Sequence, residues 1–175
     1  VIVSRWLEFK AIVPNLKTIE TKARGFEAEF LHERREQDTH FKYPDGLLLL
    51  RKFDHQPAEL ITLQRGVHES FRISEVEIAE VQDAREVSAM LRGRFGVSVE
   101  IEKTRKVFIW RETRIHLDQV DRLGMFVELV TEVDSGDEAR AAIELREALV
   151  RLGMEHMPLE LRGYAEQMLE KGKEE

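Results

Sequence analysis

RIHLDQVDRLGMFVELV, residues 114–130, is the stretch on which the reading of the whole chain turns. Successive side chains of a β-strand point to opposite faces. Arg114, His116 and Asp118 therefore share one face, and Ile115 and Leu117 share the other. Beyond the short DRLG connection, Phe126, Glu128 and Val130 again lie on one side. A solvated sheet face would be uniformly polar, whereas here charges continue a face that also carries bulky apolar residues. The pattern predicts an antiparallel hairpin whose charged side looks into an interior.

The same mixture recurs along the chain. Near the start, Ser4, Trp6, Glu8 and Lys10 share a face, with Leu7, Phe9 and Ala11 on the other. DGLLLLRKF, residues 45–53, carries leucines on both faces: Leu48 and Leu50 on one, Leu47 and Leu49 continued by Arg51 on the other. Arg65 lies with Ile61 and Leu63, and Lys103 and Arg105 continue the face of Val99 and Ile101. Buried charge is costly unless it is paired or liganded. If these faces line one interior, six cations (Lys10, Arg51, Arg65, Lys103, Arg105, Arg114) meet three acids (Glu8, Asp118, Glu128). A positive lining inside a chain of net charge −7 suits an anionic ligand and argues against general nucleic-acid binding.

The 175 residues suffice for one domain with a sizeable core. Without cysteine, disulfides, thiol catalysis and thiolate zinc sites are excluded, which fits a cytoplasmic protein. There is no apolar run of membrane-spanning length. Strands are expected over VIVSRWLEFKAIV, EQDTHF, the leucine stretch, ELITLQR, FRISEVEIAEV, VSVEIEKTRKVFIW, TRIHLDQV and MFVELVTEV. Helices are expected near 15–24, from Asp83 to Gly96 and from Ser135 to Gly153, the last two opened by Asp83/Glu86 and Ser135/Glu138 capping boxes, with a final short helix over LELRGYAEQML. The expected fold is α+β: an eight-stranded antiparallel barrel or tunnel with outer helices, one domain over residues 1–170, and a disordered tail at 171–175.

LEFKAIV, QDTHF, LLLLR, LITLQR, KTR and above all residues 114–130 resemble the CYTH superfamily, which groups class IV adenylate cyclases with thiamine triphosphatases. The resemblance runs from about residue 5 to 166. It implies a tunnel in which basic residues grip a triphosphate and glutamates hold magnesium. Glu8 and Lys10 fit the end of the family's ExExK strand, Arg51, Arg65, Lys103, Arg105 and Arg114 fit its basic positions, and Glu128 fits the first glutamate of its closing ExE. Trp6, Leu47, Leu49, Leu63, Val76 and Val130 depart from it, each replacing a polar, charged or tyrosine position by an apolar inward one.

These departures suggest a tunnel remodelled, by divergence or engineering, to bind or act on an uncharged or aromatic small molecule. A magnesium-dependent adenylate cyclase or organic triphosphate phosphohydrolase is the alternative, and an inert scaffold the next. Magnesium is expected only if triphosphate chemistry survives, held weakly by Glu8 and Glu128. Lys10, His116 and Glu128 are the candidate catalytic groups. The bland expectation for Lys10 is an ion pair with Glu8 or Glu128. The partners expected are a small molecule in the tunnel and, at most, a second copy of the chain, with neither nucleic acid nor membrane.

Overall fold

The computed structural model describes residues 1–68, 70–134 and 136–174. Eight antiparallel strands, β1 (Ile2–Ile12), β2 (Glu29–Phe41), β3 (Leu47–Phe53), β4 (Ala58–His68), β5 (Phe71–Val81), β6 (Val97–Trp110), β7 (Thr113–Val120) and β8 (Gly124–Glu132), close into a barrel in the order β1-β5-β4-β3-β2-β6-β7-β8. Helices α1 (Leu16–Gly25), α2 (Ala84–Phe95), α3 (Glu138–Arg151) and α4 (Tyr164–Glu174) accompany it. No described helix is long and apolar enough to cross a membrane.

Local chemistry sets these boundaries. Asn15 caps α1 by accepting from the Lys17 amide, and Asp83 caps α2 by accepting from Glu86. For α3 the cap is Asp137, which accepts from Arg140. Ser135, expected in that role, lies outside the described residues. Gly46 has φ +112°, and a Cβ there would lie 2.5 Å from the Leu63 carbonyl oxygen, so only glycine lets the turn into β3 approach β4 this closely. Two expectations need correction. The final helix begins at Tyr164 rather than Leu159 and continues through Glu174, so residues 171–174 are helical. β2 begins seven residues before Glu36, because its polar outer face hides the strand period.

Strand alternation separates the outer core from the lumen. Leu7, Phe9 and Ala11 of β1 pack with Ile115, Leu117, Val127 and Leu129 beneath α1 and α3. Leu48 and Leu50 pack with Phe41 and with Leu91 of α2. A third cluster, Ile101, Val120, Phe126 and Met168, fills one end of the barrel under α4. Leu50→Ala should therefore destabilise the fold by about 2–5 kcal/mol, the usual range for a buried leucine. Leu47→Ala, at a half-buried position facing the lumen, should have less than half that effect in urea unfolding.

Candidate functional site

The lumen encloses a cavity of 460 Å³ with two unlike sides. β1, β5, β4 and β3 contribute Trp6, Leu47, Leu49, Ile61, Leu63 and Ile78, one contiguous apolar patch, together with Glu8, Lys10, Arg51, Glu59 and Arg65 at its margins. β2, β6, β7 and β8 contribute His32, Arg34, Glu36, Asp38, Lys103, Arg105, Arg114, His116 and Glu128. Val76 and Val130 are buried on the inward side of their strands, yet neither lines the open volume, which corrects the expectation for both.

Three of the six expected phosphate-gripping cations, Arg51, Lys103 and Arg105, are held by carboxylates of the barrel itself. Arg51 donates to both oxygens of Asp38, at 2.8 and 2.9 Å, and Lys103 reaches Asp38 at 2.7 Å and Glu36 at 3.1 Å. Burial alone would raise the pKa values of both acids, but Arg51, Lys103 and, for Glu36, Arg105 outweigh it and hold them well below the usual carboxylate range. Arg105 forms a two-pronged pair with Asp118, at 2.7 and 2.6 Å, and Tyr164 donates its hydroxyl to the same carboxylate at 2.6 Å. Arg65 and Arg114 also line the cavity, and among the described residues no carboxylate lies within ion-pair distance of either. Arg65 passes so close under Gly163 that a Cβ there would lie 2.7 Å from its Nη1.

The CYTH domain model matches residues 5–164. The chain belongs to the CYTH family. Three solved structures share its fold. A protein from Pyrococcus horikoshii has 22% identity and a TM-score of 0.81, with 92% of this chain and 98% of that one covered. A candidate adenylate cyclase from Vibrio parahaemolyticus has 22% identity and a TM-score of 0.76, covering 95% and 98%. A candidate adenylyl cyclase from Hippeastrum, described as having a dominant triphosphatase activity, has 16% identity and a TM-score of 0.69, covering 97% and 96%. No curated protein matches the chain in sequence.

In this CYTH domain Glu8 and Glu128, the expected metal ligands, do not form an open pair. The Arg72 guanidinium lies between them, its Nε 3.0 Å from Glu8 and its Nη2 3.1 Å from Glu128. Ser74 donates a further hydrogen bond to Glu8. No group of three or more metal-ligating side chains occurs among the described residues. The inward residues that sequence reasoning missed include Glu36 and Asp38 on β2, Arg34 and His32 on the same strand, Glu59, Ile78 and Glu132, and Arg72. Glu36, Asp38 and His40 do alternate, but Arg35 and Gln37 make the outer face of β2 equally polar, so no contrast marks an inside.

The three catalytic candidates lie in unlike surroundings. Glu128 is shared by Arg72, by Arg105 at 3.6 Å and by His116 at 3.4 Å. Burial would raise its pKa, but the His116 hydrogen bond and the two guanidinium groups hold it well below the usual range, which makes it a weak base. Burial and Arg105 lower the pKa of His116. Lys10 does not form the ion pair expected of it. Its Nζ donates to the Arg162 carbonyl at 2.6 Å and lies 4.4 Å from the centre of the Tyr164 ring.

Burial lowers the Lys10 pKa from 10.5 to about 7, against the opposing pull of Glu128 and Glu8 and with help from Arg72 and Arg65. Between pH 7 and 10.5 the unfolded chain therefore holds more of this proton than the folded one, and stability from this group rises with pH. Below pH 7 the amine is charged in both states and its burial penalty is fully present. Lys10→Met should be more stable than the wild type at pH 6, and the wild type should recover by up to about 1.4 kcal/mol per pH unit on the way to pH 10. Urea unfolding at pH 6, 8 and 10 measures this, and a constant difference would mean that Lys10 stays charged throughout.

Proposed function

We propose that this CYTH domain binds a small molecule with an aromatic or apolar body, seated against Trp6, Leu49 and Leu63. The observation that supports this most is the two-sidedness of the lumen. Arg51, Lys103 and Arg105, three of the six cations that could grip a triphosphate, already have carboxylate partners, while Trp6, Leu49 and Leu63 belong to a contiguous apolar surface. Pockets for small molecules combine such a wall with a few polar groups that set orientation. An aromatic group burying about 150–250 Å² gains roughly 4–6 kcal/mol at ~25 cal/mol per Å² before association costs are subtracted. Arg65 and Arg114, free of carboxylate partners among the described residues, favour a second reading: organic triphosphate chemistry of the kind attributed to the Hippeastrum relative.

Trp6 supplies the test. Trp110 packs outside the barrel against Phe26, so Trp110→Phe leaves Trp6 as the sole tryptophan. Titration of that variant with 1-aminoanthracene, an uncharged aromatic fluorophore, should give saturable quenching of Trp6. Adding Leu49→Lys should weaken binding by roughly tenfold or more, because the new charge must be desolvated when the ligand enters. Tripolyphosphate with magnesium should give no saturable heat in calorimetry. Tight magnesium-dependent binding of a nucleoside triphosphate, with turnover, would establish the second reading instead.

A further inference from the structure

The register around β1 concentrates negative charge at one point of the lumen. Glu8 lies directly opposite Arg72 on β5 and Val130 on β8, and Glu128 lies two residues from Val130 along β8. Glu8 and Glu128 are thus diagonal neighbours on adjacent strands, within reach of one another and both buried. Two carboxylates in such a place require a cation, because neither can be left unanswered away from water. Lys10, directly across from Glu128, is not that cation: its hydrogen bond goes to the Arg162 carbonyl. Arg72 is, since two different nitrogens of its one guanidinium serve the two different carboxylates.

We propose that Arg72 is a resident substitute for a divalent cation, so that the Glu8–Glu128 pair works without metal and becomes a metal site only when Arg72 is removed. The charge balance supports this. One guanidinium, Arg72, already answers both carboxylates, and Arg105, whose main partner is Asp118, comes within 3.6 Å of Glu128, so a divalent ion would enter beside two resident positive charges. Space supports it too. Arg72 is 3% exposed and sits between the oxygens that a bridging ion would need. The guanidinium stays there although its Nη1 is buried without a hydrogen-bond partner, so its attraction to the two carboxylates outweighs one unmade bond. With Arg72 gone, Glu8, Glu128 and the Ser74 hydroxyl would form a hard-oxygen site of the kind that suits magnesium or manganese, with water completing the coordination. This inference concerns the polar side of the tunnel and holds whichever ligand the apolar wall takes.

Manganese alone is the probe, with no phosphate compound present. Free Mn²⁺ measured by electron paramagnetic resonance should be undiminished by the wild-type protein. Arg72→Ala should remove one ion per chain, and Glu8→Gln added to Arg72→Ala should abolish that uptake. In parallel, the thermal unfolding midpoint of Arg72→Ala should fall below that of the wild type and rise again with Mn²⁺, since an ion bound only by the folded state stabilises it. The wild-type midpoint should not respond. If Arg72→Ala does not fold without metal, its refolding in Mn²⁺ and in EDTA gives the same readout. Stoichiometric Mn²⁺ uptake by the wild type that Glu8→Gln removes would overturn the proposal. So would an Arg72→Ala variant that binds no Mn²⁺, or whose folding is indifferent to it.

Discussion

A charge inside a closed barrel has to be answered from within the barrel, and this constraint organises the lumen. Closure removes the sheet edges and turns every second residue of eight strands toward a confined space. Glu8, Lys10, Glu36, Asp38, Arg72, Lys103, Arg105, Asp118 and Glu128 are all at most 9% exposed. Such charges are tolerated only with close partners, because the desolvation penalty of a lone ion exceeds what one hydrogen bond returns. Asp38 is therefore fixed between Arg51 and Lys103, Asp118 between Arg105 and Tyr164, and Arg72 between Glu8 and Glu128. These pairs engage Arg51, Lys103, Arg105 and Arg72 and leave Lys10, Arg65 and Arg114 as the expected cations without a carboxylate partner among the described residues.

The apolar wall follows from the same economy in reverse. The side chains of Leu47, Leu49, Ile61 and Leu63 need no counter-ions, so the stretch of lumen between the Arg51–Asp38 pair and the Glu8–Arg72 pair is held by packing instead. A ligand entering the tunnel meets a surface that rewards apolar contact on one side and a preformed lattice of charges on the other. The C-terminal segment joins the two. Tyr164 stacks edge-on against Phe126, donates to Asp118 and offers its ring face to Lys10, while the carbonyl of Arg162 takes the Lys10 ammonium hydrogen bond. A residue near the end of β1 thus depends on a segment about 150 positions later, which places a late part of the chain at the heart of the site.

Much of this architecture was legible in residues 1–133. Alternation put Leu48 and Leu50 on the opposite face from Leu47 and Leu49, the family resemblance turned the second pair inward, and the structure agrees. The Asp83 cap was readable because a capping side chain and its amide partner are local in sequence. The inward set was less legible. Lys103 and Arg105 announced themselves by interrupting an apolar face, but Glu36 and Asp38 lie in a strand polar on both sides, and Arg72 is a single charge at the start of a strand. The six-to-three excess of cations read from the sequence was therefore too high, because the acids that answer them come from β2.

The sequence by itself determined which side chains could face inward. That follows from a two-residue period and short turns, and it needs no knowledge of which strand neighbours which. Only the tertiary structure decided who meets whom across the lumen. Arg72 could have faced Glu8 or any other acid of the barrel; closing β1 against both β5 and β8 set it between Glu8 and Glu128 and left Lys10 to a main-chain carbonyl. The reason is physical. Facing direction is a property of the local backbone, whereas ion pairing depends on distances of a few ångströms between strands far apart in the chain, and those distances exist only once the barrel has closed.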